Sequence, residues 1–517
     1  MAAVSESGIE GGPFGPVSPL RRRPPAPQNG RLDEADFRLT CDSGFGDGWN
    51  SYAHSMAWFE GRLYVGTTRA TMPGMKLLFP PPDIKPWPVE SPDDIYDIDR
   101  RVQVWRYTPE IDRWDLVYRA PEVPGRTVKR LVPRYVGMRG MTVFQGPTDA
   151  KPCLYMSTWA PAQAEPPDIL RSEDGVEYTV VKRPPWDPSV RSFRTLQVFK
   201  GRVHTSPTGS NRGGKAQECV GSEAVIYCSD DLQTGIWQAS NPESFGNPRN
   251  LTVFEMVEFN DHLYAGTVNP FTGFELWKTR GDGGPPYQWT RVLQRGAWRG
   301  PFNEVVVSLC EFNGALIVGT GIVNGGYHRA FKLGPAAAEI LRVYPDDSWE
   351  ILVGQSRVTP DGLKVPLSGY SAGFDNLFNG YVWRMCVHGD YLYAGTFSWA
   401  NSLPYLPADK WPEDVLKMMK HWGLEHLTRN FGGFGLWRTH DGIRWDCVTA
   451  SGFGNKYNWG VRNFASTEHG LFVASANPFG PRVAVQQDGE WKYVDNNRGG
   501  CEVFLGAPRA ASVPPRS

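Results

Sequence analysis

Residues 250–292 read NLTVFEMVEFNDHLYAGTVNPFTGFELWKTRGDGGPPYQWTRV. Four short runs stand out in it: TVFEMVEF, HLYAGTV, FELWKT and QWTRV. They are separated by Asn260-Asp261, by Asn269-Pro270 with Gly273, and by Gly281-Asp282-Gly283-Gly284. Aromatic and β-branched runs bounded by turn formers predict four antiparallel strands in a meander. A single sheet of this kind leaves apolar surface on both faces, so it needs neighbours to be stable.

The neighbours are in the same chain. Asn50–Phe59, Asn250–Phe259 and Asn303–Phe312 align without gaps, and so do Asn379–His388 and Asn458–Thr467. Tyr135–Phe144 and Val190–Phe199 are divergent copies. The position six residues into each copy is apolar throughout: Met56, Met141, Leu196, Met256, Leu309, Met385 and Phe464. The run that follows reads RLYVGT, CLYMST, RVHTSP, HLYAGT, ALIVGT, YLYAGT and LFVASA in turn. Repeats of roughly 60 residues match propeller blades enlarged by loops. The expected fold is therefore all-β, a seven-bladed β-propeller of four-stranded antiparallel blades over residues 36–506. Insertions at 70–101 and 402–432 are expected to form a lid over one face. The second carries a small helix in blade six, from the spacing of Val415, Leu416, Met419 and Trp422.

Composition bounds the rest. Aromatics make up 13% and charged residues 21%, with 57 glycines and 44 prolines, which suits many short strands and turns. A net charge of −1 argues against nucleic acid or an anionic membrane as partner. No apolar run is long enough to span a bilayer, and the N-terminus lacks the apolar core of a secretory signal. A cytoplasmic monomer is expected, with a small-molecule ligand and room for a protein partner. The eight cysteines form no CxxC pair, and Cys310 and Cys386 are read as reduced packing residues. Residues 1–35, with Arg21-Arg22-Arg23, and 507–517 are expected to be disordered tails. The stretch DFRLTCDSGFGD resembles an outermost strand and its exit loop. Residues 37–42 are therefore expected to close the ring on the blade carrying the strands near 481–494.

A second motif lies on the outer strands. Ser172-Glu173-Asp174-Gly175 with Tyr178, Thr439-His440-Asp441-Gly442 with Trp445, and Ser229-Asp230-Asp231 with Trp237 resemble the Asp-box of the bacterial neuraminidase repeat, or sialidase-like, propellers. The resemblance implies a turn-forming aspartate on the face away from the active site, with no catalytic role.

Function is expected on the opposite face, where both insertions and the loops GFGDGWN (44–50), SFGNPRN (244–250), GFDNLFN (373–379) and GFGNKYN (452–458) gather. Asn50, Asn250, Asn303, Asn379 and Asn458 either ring the channel mouth or tie down their own loops. The second reading is favoured, with Asn50 kept as a candidate contact. Four residues into each copy the repeat lapses: His54, Arg139, Arg194, Phe254, Val307, Trp383 and Arg462. The next position also varies, and includes Glu255 and Arg384.

Guanidinium groups at one level fit a carboxylate, sulfate or phosphate. Alternatively, the arginines pair with Glu255, Glu304 or Asp375 and brace the ring. His54 and Tyr52 are candidates for proton transfer, as in propeller polysaccharide lyases, and Glu255 is a third catalytic candidate. Arg139, Arg194, Arg384, Arg462, Asn50, Trp383 and Trp399 are the candidate substrate contacts. No metal-ligand spacing, phosphate loop or GxSxG appears, so no metal and no cofactor is expected. The reading is an enzyme of lyase, hydrolase or cyclase type acting on a small anionic or polycyclic ligand. The alternative is a non-catalytic propeller that presents its decorated face to a ligand or protein.

Overall fold

The computed structural model describes residues 26–77, 86–182, 189–209, 221–323, 326, 334–406 and 413–508. Arg21-Arg22-Arg23 lies outside these. The chain is mostly β, and its strands pair in the order the repeats predict. In the stretch quoted above, Thr252–Phe259, His262–Val268, Leu276–Thr279 and Thr290–Leu293 form one antiparallel meander. Asn50–Phe59, Arg62–Arg69, Gln103–Thr108 and Arg113–Arg119 form another. The same order recurs from Gly137–Phe144, Val305–Phe312 and Asn379–His388. The copy at 190–199 is broken at Arg194 into Ser192–Phe193 and Gln197–Phe199.

Single bridges join the end of one meander's second strand to the start of the next meander's inner strand. They are Thr68 to Gly137, Trp159 to Ser192, Val268 to Val305, Gly321 to Tyr381, and Phe397 to Gly460. Ala476 in turn bridges Tyr52, which joins the last meander to the first.

Closure differs from expectation in its partner. Phe37–Leu39 pairs with Val503–Gly506, which itself pairs with Gly470–Ala476. The strands near 481–494 are a separate hairpin, Arg482–Gln487 with Glu490–Asp495. Its turn residues Asp488 and Gly489 both have positive φ, the two-residue geometry that matches strand twist. The N-terminal tail is also shorter than its composition implied. Leu32 is fully buried, its N–H donates to Tyr393 Oη at 2.9 Å, and Arg438 is ion-paired with Asp33. Residues 27–36 therefore pack on the sixth meander instead of trailing from it. The helical insertion is present as Glu413–Trp422 and Leu424–Phe431, divided at Gly423.

The repeated loops are held by a recurring aromatic wedge. Phe45, Phe245, Phe374 and Phe453 all have φ between 55° and 58°. Phe45 lies 4.9 Å from the Trp105 ring, Phe245 4.9 Å from Trp277, and Phe374 4.2 Å from Trp437. The left-handed backbone costs about 1–2 kcal/mol. Burying a phenylalanine returns about 1.5–3 kcal/mol, and its ring contact adds about 0.5–1.5. Packing wins.

Candidate functional site

The five leading asparagines do what the local reading required. Each donates from Nδ2 to a carbonyl of its own entry loop, six residues upstream for Asn50 to Gly44, Asn250 to Ser244, Asn379 to Gly373 and Asn458 to Gly452, and seven for Asn303 to Gly296. Three also donate to a buried carboxylate just before the third strand, namely Glu275, Glu339 and Glu502. In the first meander Gln103 takes that place, and Asn50 Oδ1 accepts from Arg69 at 2.9 Å. Asn50 is fully buried, and the atoms proposed for ligand contact are engaged in this network.

The Asp-box-like turns are equally local. Asp174 Oδ1 accepts from the backbone of Val176 and Glu177, and Asp441 Oδ1 from Ile443 and Arg444.

The non-repeating level is different. A β-bulge falls at the same place in six inner strands, and the bulged residues are His54, Arg139, Phe254, Val307, Trp383 and Arg462. In the remaining copy the strand breaks at Arg194. A bulge adds one unpaired residue and re-aims its side chain, so two consecutive residues escape strict alternation. Strict alternation had barred the bulge residues and their successors, Glu255 and Arg384, from facing one place. The bulge removes that bar. Carbonyls freed at this level find partners on adjacent copies. Asn463 Nδ2 donates to His54 O at 2.6 Å and to Ala53 O at 3.0 Å, and Ser308 Oγ donates to Val382 O at 2.7 Å.

Side-chain contacts link these residues into a continuous series. Arg194 lies 3.3 Å from the centre of the Phe254 ring and donates from Nε to Phe254 O. Glu255, next to Phe254, is ion-paired with Arg384. Trp383, next to Arg384, has Arg462 over its ring at 5.3 Å, and its edge meets Tyr52 at 6.0 Å. Tyr52 lies 5.9 Å from His54, His54 lies 6.4 Å from Trp159, and Arg139 covers Trp159 at 4.6 Å.

The electrostatics follow from that crowding. Burial and then Arg462, Arg139, Arg194 and Arg384 hold the His54 imidazolium far below its ordinary range, so His54 is neutral. Its Nδ1 lies 2.5 Å from Thr68 Oγ1. Burial, and then repulsion from Arg384, Arg194 and Arg139, also depress Arg462. Arg462 is 4% exposed, and its Nε and Nη1 have no hydrogen-bond partner among the described residues. Of the proposed braces, Glu255 fills the role for Arg384, whereas Asp375 accepts from Ser371 in its own loop.

Glu304 is the residue that sequence reasoning undervalued. Burial raises its carboxyl to about 8, so it is a neutral acid near pH 7. It immediately precedes the fifth inner strand, Val305–Phe312, beside a small apolar group that includes Val305, Phe254, Val323 and Trp383. Trp399 is buried against Phe378 at 4.8 Å within the insertion cluster.

That cluster joins both insertions through the 482–495 hairpin. Val89 bridges Val483, Glu90 N donates to Arg482 O at 3.0 Å, and Tyr405 Oη donates to Ala484 O at 2.8 Å. Below them Tyr52, Trp459 and Phe397 lie in the same apolar group. Two surface hollows, of about 600 Å³ beside Asp42 and Asn497 and about 500 Å³ beside Phe302 and Asp375, do not reach the arginines. Among the described residues no group of His, Cys, Asp and Glu is arranged to hold a metal, and no helix is long and apolar enough to cross a membrane.

No protein-family profile and no curated protein matches the chain. Solved structures similar to it include the NanB sialidase of Streptococcus pneumoniae, at 10% identity and TM-score 0.37, over 70% of this chain and 67% of that one. The Sqt1 protein of Saccharomyces cerevisiae is similar at 9% identity and TM-score 0.39, over 89% and 97%. The arabinanase Arb43A of Bacillus subtilis is similar at 14% identity and TM-score 0.29, over 50% and 88%.

Proposed function

We propose that the meanders close as a seven-bladed β-propeller whose central channel binds a small anionic ligand and acts on it by acid–base chemistry of the lyase or hydrolase type. The observation that carries this reading is Arg462. It is a buried guanidinium with two partnerless nitrogens, set among Arg139, Arg194, Arg384 and His54. A buried cation without a partner costs several kcal/mol, and a chain keeps such a group where a ligand answers it.

In this reading the arginines bind the anion, and Glu255 positions Arg384. Neutral His54, beside Tyr52, handles the proton once bound negative charge offsets the arginines. Glu304 supplies a neutral acid nearby. The insertions at 70–101 and 402–432, joined by the hairpin, form a lid over the blades that carry His54, Trp383 and Arg462.

Turnover of a panel of sugar acids, sulfated sugars and phosphorylated metabolites by the parent, His54→Gln and Arg462→Gln tests the reading. Turnover by the parent that both variants lose supports it. Turnover equal in all three contradicts it, and binding without turnover moves the protein to the non-catalytic class.

A further inference from the structure

We infer that the anion at this centre is a doubly charged tetrahedral oxyanion, of which a phosphate monoester is the ordinary biological form, and that a monocarboxylate is a poor substitute. The inference rests on the anion-site reading above and narrows it to a ligand class.

Direction comes first. Arg139, Arg194, Arg384 and Arg462 belong to the second, third, sixth and last copies, so in the ring proposed above their guanidinium groups reach the centre from different blades. A carboxylate offers two oxygens in one plane and suits a single bidentate arginine. A phosphate offers three acceptor oxygens in three directions and a charge of about −1.5 to −2.

Charge is the second point. Glu255 answers Arg384. Arg462 still stands among cationic neighbours, with Arg384, Arg194 and Arg139 each close enough to repel it. A single negative charge can answer one guanidinium. A dianion answers two.

Donor stock is the third. Besides Nε and Nη1 of Arg462, the buried Nε1 of Trp159 has no hydrogen-bond partner among the described residues. Trp159 is the ring that contacts both His54 and Arg139. The centre is rich in donors that lack acceptors. A many-oxygen anion is the complement of that arrangement.

Thermal shift at constant ionic strength and pH 7.5 tests the inference, using inorganic phosphate, phenyl phosphate, acetate, benzoate and N-acetylneuraminate as probes. Phosphate or phenyl phosphate should saturate at concentrations at least tenfold below any monocarboxylate. The ratio of these two probes tells free phosphate from a phosphate ester as the group the centre fits. Arg462→Gln should weaken phosphate at least tenfold. Trp159→Phe, which keeps the ring and removes the N–H, should weaken it several-fold.

If a monocarboxylate binds as tightly as phosphate, and its binding also depends on Arg462, the dianion inference fails while the anion site stands. If no probe saturates, or Arg462→Gln binds every probe like the parent, both fail.

Discussion

Two levels of the same inner strands, a few residues apart, are built on opposite terms. At the loop end, fully buried Asn303 donates to Glu339, and Glu339 is also ion-paired with Arg357 and Arg299. Glu275 with Arg291 and Glu502 with Arg498 repeat that arrangement. Each of these buried carboxylates meets an amide and a guanidinium. At the bulge level, Arg462 has nitrogens without partners, and His54 is kept neutral by burial and then by surrounding positive charge. The repeated level holds the sheet together. The level where the repeat lapses carries unanswered charge, which burdens the fold and is explained by a ligand.

Substitutions can break or sharpen this contrast. Glu339→Ala leaves Arg299 and Arg357 buried without their carboxylate, and should cost about 3–5 kcal/mol in urea unfolding. A loss below about 1 kcal/mol would remove the distinction between the two levels.

Glu304→Gln should act in the other direction. The folded carboxyl, raised to about 8, keeps a proton that the unfolded chain releases near its ordinary value of 4.5. Stability is thus lost as pH rises between those values and is level above the upper one. The variant should be more stable than the parent at pH 8, by on the order of a few kcal/mol, and nearly equal to it at pH 4.5. A difference that does not change with pH would contradict the assignment.

His54→Gln has a smaller effect in the acid range. The folded imidazole resists a proton that the unfolded chain accepts near 6.5, so the parent loses stability as pH falls below that point. The variant should lack this loss, a difference of about 1–2 kcal/mol by pH 5.5. Smallest of all, Arg38→Ala removes an exposed pair with Asp112 and should cost under about 1 kcal/mol, even though it lies on the closing strand.

The contrast also explains what the sequence could and could not disclose. Leading asparagines, aromatic wedges and strand runs recur, so their spacing alone located the meanders and the lapsing level. The bulge was hidden because an extra residue leaves no mark in a copy that carries it at the same place six times. The N-terminal strand joins the last meander as expected, but its neighbour there was not legible because RVAVQQDGEWKYV, with its Asp488-Gly489 turn, is a stronger strand signal than the short run Val503–Gly506. Residues 27–36 read as tail because their anchors, Tyr391 Oη on Pro27 O and Tyr393 Oη on Gly30 O, lie more than 350 positions away. Glu304 was legible as an acid in a strand, but its proton depends on burial that spacing does not show.

Side-by-side thermal unfolding of Arg462→Ala and Asn303→Ala in a buffer of small monovalent ions tests the central claim most directly. Asn303→Ala should melt well below the parent, because it strips partners from Glu339 and Gly296. Arg462→Ala should melt at or above the parent, because it removes a buried charge that nothing in the fold answers. An Arg462→Ala protein that melts as far below the parent as Asn303→Ala does would show that this guanidinium holds the structure together, contradicting its assignment to a ligand.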